Sequence, residues 1–259
     1  MKKYCSFMQT YCPDAVEGYG EGHPEHGERF FLMEMHAKNT LDHHLKNKMD
    51  CNIFSFNGCP DDYVEHVTET LLKPNYKNVQ VLRYDGTLPY TETFRRSLQW
   101  VKDNGFTDFM FFQDDGFTTA PKDVIDSVFD IYDKNDLKML HLDNQDTQYV
   151  ETCDQERVHR GDGVSIYYSN TDRWVAKGLP HFGDSPYIAN VDLLLNELYL
   201  EGYFQAGCVH RGEAWFDKRT WEKPMDRWQV DTHISGNINC IGPCRTDLSK
   251  LQEKLERVI

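Results

Sequence analysis

The stretch DFMFFQDDGF (108–117) decides the reading of this chain. Phe109, Met110, Phe111 and Phe112 form an unbroken apolar run, which suits a strand covered on both faces within a parallel sheet. The run stops at Gln113, and two adjacent carboxylates, Asp114 and Asp115, follow it ahead of Gly116. Adjacent like charges resist joint ionisation unless a cation or hydrogen-bond donors compensate them. The end of this strand is therefore either a solvated Asp-Gly turn or a seat for something positive.

Upstream, the chain alternates between short strands and amphipathic helices. Residues 4–10 (YCSFMQT) read as a strand, and 12–27 as a long loop rich in Gly, Pro and acid. Long loops in compact domains are often functional. Phe30, Met33, Ala37, Leu41 and Leu45 share one helical face, which predicts a helix over 28–46. CNIFSFN (51–57) is a strand, and Pro60-Asp61-Asp62 opens a helix with acids at its positive end. NVQVLRY (78–84) is a strand, followed by a helix over 91–104 that stops at Asn104-Gly105.

Downstream, Pro121 opens a helix carrying Val124, Ile125, Val128, Phe129 and Tyr132 inward. KMLHLD (138–143) and GVSIYYS (163–169) read as strands, and 186–201 as a helix. Leu248, Leu251 and Leu255 place a C-terminal helix over 245–259. Four strand–helix units in succession predict an α/β fold, Rossmann-like, with a mostly parallel central sheet flanked by helices.

Composition narrows the function. The 259 residues carry a net charge of −14, and phosphate neutralisation calls for a basic face, so nucleic acid is not expected as a partner. No apolar run approaches a transmembrane segment, and MKKYCSFMQTYC lacks the apolar core of a secretory signal. The expectation is a soluble, cytoplasmic protein whose eight cysteines are free thiols. Cys240 with Cys244, and His23 with His26, have zinc-like spacing, but neither completes a four-ligand pattern, and loop chemistry is the better account.

In open parallel sheets, ligands bind beyond the carboxyl ends of the strands. Here those ends are Gln9, Asn57, Tyr84 and Asp114. A hard divalent ion, Mg²⁺ or Mn²⁺, accepts paired carboxylate oxygens and takes substrate phosphates as well. An Asp-Gly turn remains the plain alternative.

The order of strand, acidic turn and helix after three strand–helix units resembles the GT-A-type, nucleotide-sugar-dependent glycosyltransferases, family 2 in particular. FFQDDG is similar to their D-x-D or E-D-D element. The resemblance implies that Asp115 holds the metal and that Asp114 contacts sugar or ribose, with Gln113 standing where an acid is commoner. It further implies base contacts from Gln9, Thr10 and Tyr11 after the first strand and from Asn57 after the second. Arg95 and Arg96, in TFRRSLQW, are the candidates for phosphate or sugar, or they form a solvated helix face. NVDLLLNELYLEGYF (190–204) is similar to the segment that carries the general base, which would make Asp192 the base, although Val191 replaces the usual acid. Asp184 in HFGDSP competes for that role. His233-x-x-Gly236 resembles a motif whose His is a third metal ligand, without the K-P-W that usually follows. Trp215, Trp221 and Trp228 are either a sugar-stacking wall for the acceptor or core residues.

The implied protein is a single catalytic domain over 1–259. Residues 1–120 form its nucleotide-binding half, 121–244 its acceptor-binding half and 245–259 a closing helix. Its implied partners are a UDP- or GDP-sugar and a glycan or other hydroxyl acceptor. Two rivals stay open. One is a nucleotidyltransferase acting on a sugar phosphate, disfavoured because CPDAVEGYGEGHPEHGE (12–28) holds no Lys or Arg. The other is a degenerate fold serving as a carbohydrate-binding or assembly module.

Overall fold

The computed structural model describes residues 2–11, 30, 33–34, 36–38, 44–86, 88, 90–113, 117–118, 122–134, 136–143, 165–168, 174–177, 187–198, 227–231 and 234–235. The first strand is β1 (Tyr4–Tyr11), and helical residues follow at 30, 33–34, 36–38 and 44–46. Next come β2 (Cys51–Asn57), α1 (Asp61–Val67), β3 (Val79–Tyr84), α2 (Tyr90–Asp103) and β4 (Asp108–Gln113). Helix α1 runs on through a π-helical turn, Thr68–Leu72, into Lys73–Asn75. Beyond β4 lie β5 (Phe117–Thr118), α3 (Lys122–Lys134), β6 (Met139–Asp143), β7 (Ser165–Tyr168), β8 (Trp174–Lys177) and β9 (Tyr187–Asn190). A π-helical segment, Leu193–Leu198, precedes β10 (Arg227–Asp231) and β11 (Ile234–Ser235).

Nine strands form one sheet in the order β3-β2-β1-β4-β9-β6-β10-β8-β7. The left half, β3-β2-β1-β4, is wholly parallel. Strand β9 is antiparallel to both β4 and β6, β10 is parallel to β6, and β8 is reversed again. Only β8 and β9 therefore run against the common direction.

The apolar run of β4 is explained by its two covered faces. Phe109 and Phe111 join Cys5, Phe7 and Ile53 beneath Phe94, Leu98 and Val101 of α2. Met110 and Phe112 join Met8, Phe54 and Phe56 beneath α1, α3 and the helical residues Met33, Ala37 and Leu45. Each strand residue alternates faces, so a strand with helices on both sides must be apolar at every position. The aromatic side chains interlock edge-on, with Phe94 5.4 Å from Phe111 and Phe56 6.2 Å from Tyr63 between ring centres.

The amino ends of the strands are closed by a buried carboxylate. Asp108 accepts hydrogen bonds from the Tyr132 hydroxyl at 2.8 Å and from Thr107 Oγ1 at 2.7 Å, which ties α3 to the start of β4. Burial, with Asp108 beside it, pushes the Tyr132 hydroxyl far above its ordinary pKa, so it stays a donor.

One predicted element is corrected. The expected helix over 186–201 is instead strand β9 followed by helix from residue 191. Tyr187 and Ala189 pack into one core cluster and Ile188 into the other, the period-2 signature of a strand with both faces covered. The Asn190 side chain then accepts from the Leu193 amide at 3.1 Å and starts the helical turn. Among the described residues the other predicted strands and helices are found, with 51–57 and 108–113 matching β2 and β4 in full. Strands β5, β8, β10 and β11 were not anticipated. The proposed C-terminal helix and the loop over 12–27 lie outside the described residues. No helix among the described residues is long and apolar enough to cross a membrane.

Candidate functional site at the carboxyl edge of the sheet

The carboxyl ends of β1, β2, β3 and β4 lie side by side, since Tyr11 is the register partner of Asn57, Asn57 of Tyr84, and Gln9 of Gln113. A buried polar layer underlies this edge. Gln9 donates through Nε2 to Thr93 Oγ1 at 2.6 Å, fastening β1 to the first turn of α2. Ser97 Oγ lies within hydrogen-bond reach of Ser55 Oγ at 3.3 Å, the Tyr84 hydroxyl at 3.2 Å and the Thr93 carbonyl at 2.8 Å. One helix is thus pinned by hydroxyls and amides to three strands at their ligand ends. Thr10 is buried beside them. Half-burial raises the pKa of the Tyr84 hydroxyl, against the opposing pull of its Ser97 hydrogen bond and the Arg96 charge.

Asn57 is the distinctive residue of this edge. Its side chain is 1 % exposed, and Oδ1 has no hydrogen-bond partner among the described residues. A buried acceptor left unpaired costs on the order of 1–3 kcal/mol, and such groups call for an explanation. Beyond it, Gly58 adopts φ 66° and its amide donates to the Tyr84 carbonyl at 2.9 Å. A Cβ at Gly86 would stand 2.9 Å from Gly58 Cα. Two glycines therefore let the β2–α1 and β3–α2 turns meet backbone to backbone next to the unpaired amide oxygen.

The other expected site residues divide clearly. Arg95 donates to Glu92 through Nε and one terminal nitrogen, both at 2.9 Å, and Arg96 Nε donates to Glu92 at 2.7 Å. At 100° per residue, positions 92, 95 and 96 fall on the side of α2 opposite Phe94, Ser97 and Val101. Both arginines pair with the largely covered Glu92 carboxylate on that side of the helix. The Arg95 hydrogen bond is the largest influence holding the Glu92 carboxyl below its usual pKa, with Arg96 adding to it.

Asp192 is corrected as a candidate base. Because β9 runs antiparallel, Asn190 pairs with Asp108, at the amino end of β4. Asp192 is exposed there and ion-pairs with Lys102 Nζ at 2.7 Å, at the far end of α2. The length of β4, roughly 17 Å at about 3.3 Å per residue, separates that end from the carboxyl edge.

Asp114, Asp115, Asp184, His233, Trp215 and Trp221 lie outside the described residues. Trp228 is on β10, where its register partners are Leu140 and Lys177. The described neighbours of the acidic turn do bear on it. Strand β5 pairs antiparallel with β11, matching Phe117 with Ser235 and Thr118 with Ile234. The chain leaving Asp115 is thereby joined to the chain leaving His233. Sequence reasoning missed a further juxtaposition: Asp143 and Asp231 are register partners at the carboxyl ends of β6 and β10. An acid closing each of two short strands, HLD and QVD, was the available signal. No group of three metal-ligating side chains occurs among the described residues.

No family model matches the sequence, and no curated protein matches it. Solved structures do match in shape. S. aureus TarS 1-349 aligns over 88% of this chain and 57% of its own, with 11% identity and a TM-score of 0.50. A Desulfovibrio desulfuricans G20 protein, provisionally named a nucleotide-diphospho-sugar transferase, aligns over 100% of this chain and 97% of its own at 10% identity and a TM-score of 0.48. CMP:2-keto-3-deoxy-manno-octonic acid synthetase complexed with CTP covers 96% of this chain and 100% of its own, at 10% identity and a TM-score of 0.47. The parallel β3-β2-β1-β4 half, the reversed β9 between β4 and β6, and the likeness to TarS together give this chain a GT-A-like, Rossmann-type α/β fold.

Proposed function

We propose that this chain is a transferase that moves a sugar from a nucleoside diphosphate sugar to a hydroxyl acceptor, using a divalent metal. The observation that carries the reading is Asn57. A buried amide oxygen at the carboxyl end of a parallel strand, with no hydrogen-bond partner among the described residues, suits the ring N–H or exocyclic amine of a nucleotide base. Gln9, Thr10 and Tyr11, at the neighbouring strand end, complete the wall for base and ribose.

Asp114 and Asp115 begin one residue beyond β4, and the β5–β11 pair ties their turn to the chain around His233. We assign Asp115, with His233, to the metal, and Asp114 to the donor sugar. The metal would neutralise the diphosphate leaving group as its bond to the sugar breaks. The base, for an inverting reaction, is assigned to Asp184. Strand β9 begins at Tyr187, whose partner Phe111 lies near the carboxyl end of β4, and Asp184 precedes that strand by three residues. Trp215, Trp221 and Trp228 remain the candidates for the acceptor sugar. Glycosyl rather than nucleotidyl transfer is favoured by the loop after β1, which holds no Lys or Arg over 12–28 to grip a triphosphate.

The test is calorimetric titration with UDP and GDP, with and without Mn²⁺, on wild type and Asp115→Ala, followed by product analysis with the donors that bind. Binding that needs both metal and Asp115, with release of nucleoside diphosphate from a sugar donor, is the expected result. Formation of nucleoside triphosphate and sugar phosphate when pyrophosphate is supplied with the donor would replace the reading with nucleotidyl transfer. No binding by folded protein would leave a binding or assembly module.

A further inference from the structure

Two cysteines face each other at the amino ends of the first two strands. Cys5 in β1 is the register partner of Cys51 in β2, and both are free thiols. Register partners in parallel strands present their side chains to the same face, and both cysteines pack into the cluster beneath α2. Neighbouring strands lie about 4.7–4.9 Å apart, inside the Cα separation of roughly 4.4–6.8 Å that a disulfide spans. Side chains of the next register pair already touch across the same gap, with Ser6 Oγ donating to Asn52 Oδ1 at 2.7 Å. A disulfide also asks for Cβ atoms about 3.8 Å apart, so closure draws the strands together by about 1 Å at this point. Cys51 is the first residue of β2 and Cys5 the second of β1, and strand ends move more readily than strand centres.

The two thiols differ in access, which fixes the order of events. Cys5 is 0 % exposed, whereas Cys51 is half-buried. Burial, followed by the nearby Cys51 sulfur, pushes the Cys5 thiol well above its ordinary pKa. Burial raises that of Cys51 too, against the opposing pull of the Lys3 ammonium. Cys51 is therefore the thiol an oxidant can reach, and Cys5 the one reached only from Cys51. Loss of the Cys51 S–H strands no acceptor. Its present partner, the Asn78 carbonyl at 3.1 Å, keeps the Asn52 amide as a donor at 3.0 Å.

We propose that Cys5 and Cys51 are a redox pair, closed into a cross-strand disulfide by a low-molecular-weight disulfide. The Cys51 thiolate attacks one sulfur of the oxidant and expels its first thiolate, leaving a mixed disulfide on Cys51. Cys5 then gives up its proton, and its sulfur attacks Cys51 Sγ and expels the second thiolate. One S–S bond forms in the protein and one is broken in the oxidant. Two electrons and two protons pass from the protein to the oxidant, which becomes two small thiols. The product ties β1 to β2 and closes the chain between them, residues 6–50, into a loop. It is independent of nucleotide chemistry at the opposite edge of the sheet.

The experiment incubates the full-length protein with oxidised glutathione, alkylates the remaining thiols in denaturant and maps the digest by mass spectrometry without reduction. Cys51→Ser and Cys5→Ala are treated alike, and melting temperatures are taken before and after oxidation. In wild type the expected result is a Cys5–Cys51 linked peptide and a melting temperature higher by roughly 5–10 °C, both reversed by dithiothreitol. The rise should be absent from both variants. Cys5→Ala should stop at glutathione on Cys51, and Cys51→Ser should leave Cys5 as a thiol that is alkylated only in denaturant. Wild type that stops at glutathione on Cys51, that pairs either residue with another of the eight cysteines, or that leaves both as thiols overturns the proposal. The wild-type map decides by itself, so the proposal stands or falls even where Cys5→Ala does not fold.

Discussion

At the scale of single residues, the carboxyl edge is specified by side chains that the fold alone does not require. Asn57 keeps an unpaired oxygen in a buried position where a Ser or Val would pack without that cost. Replacing Asn57 with Ala should therefore leave the melting temperature unchanged or slightly raised, while nucleotide affinity falls about tenfold, in line with roughly 1–1.5 kcal/mol for one hydrogen bond. Titration calorimetry beside a thermal melt checks both halves. Gly86 makes the opposite prediction. An Ala Cβ would be 2.9 Å from Gly58 Cα, a backbone contact that cannot swing aside. Gly86→Ala should cost about 1–3 kcal/mol in chemical denaturation, through overpacking at the turn. The strand Asp108–Gln113 was legible in FMFFQDDGF from its unbroken apolar run. Asn57 was legible only as a position, because no sequence pattern reveals that an amide will be left without a partner.

At the scale of elements, polar contacts decide how helices dock on an otherwise apolar sheet. Tyr132 donates to Asp108 from α3, and Tyr132→Phe removes the donor while keeping the ring. That change should destabilise the fold by about 1–3 kcal/mol, read from urea unfolding, because the buried carboxylate loses a partner. A surface contact between elements behaves differently with pH. Asp126 of α3 accepts from Lys48 Nζ at 2.6 Å and His44 Nε2 at 3.0 Å, and these partners hold its pKa down at about 2 from an ordinary 3.8. A folded pKa below the unfolded one means stability that is present above 3.8 and lost as the pH falls toward about 2. Wild type and Asp126→Asn should therefore differ in melting temperature at neutral pH and low salt, and converge in acid or at high salt. The element that misled sequence reasoning was β9. Tyr187, Ile188 and Ala189 precede an apolar helical pattern, and the pair read continuously as helix. Only the neighbours β4 and β6, hydrogen-bonded on either side, make those residues a strand.

At the scale of the whole molecule, the reversal of β9 determines which acids share the ligand edge. It carries Asp192 to the amino side of the sheet, beside Lys102, and starts β9 at Tyr187, opposite Phe111. Asp192→Asn should accordingly leave donor turnover within about twofold of wild type, whereas Asp184→Asn should abolish transfer by an inverting enzyme, as initial rates under saturating donor would record. The left half of the sheet was readable because each of its strands is flanked by its own helix in sequence. In the right half β6 and β7 were readable but β8 and β10 were not, since β10 reaches β6 from far along the chain and its composition, RWQVD, alternates too briefly to stand out.

The small β5–β11 pair also bears on how the protein comes into being. Thr118 waits for Ile234, so the β5–β11 pair cannot form until synthesis has passed residue 235. The β3-β2-β1-β4 half needs only the chain up to residue 113, although its pairings are long-range, as between Tyr4 and Asp108. Synthesis thus yields the parallel half first and the β5–β11 pair last, and a chain cut short before residue 234 would carry that half without the pair.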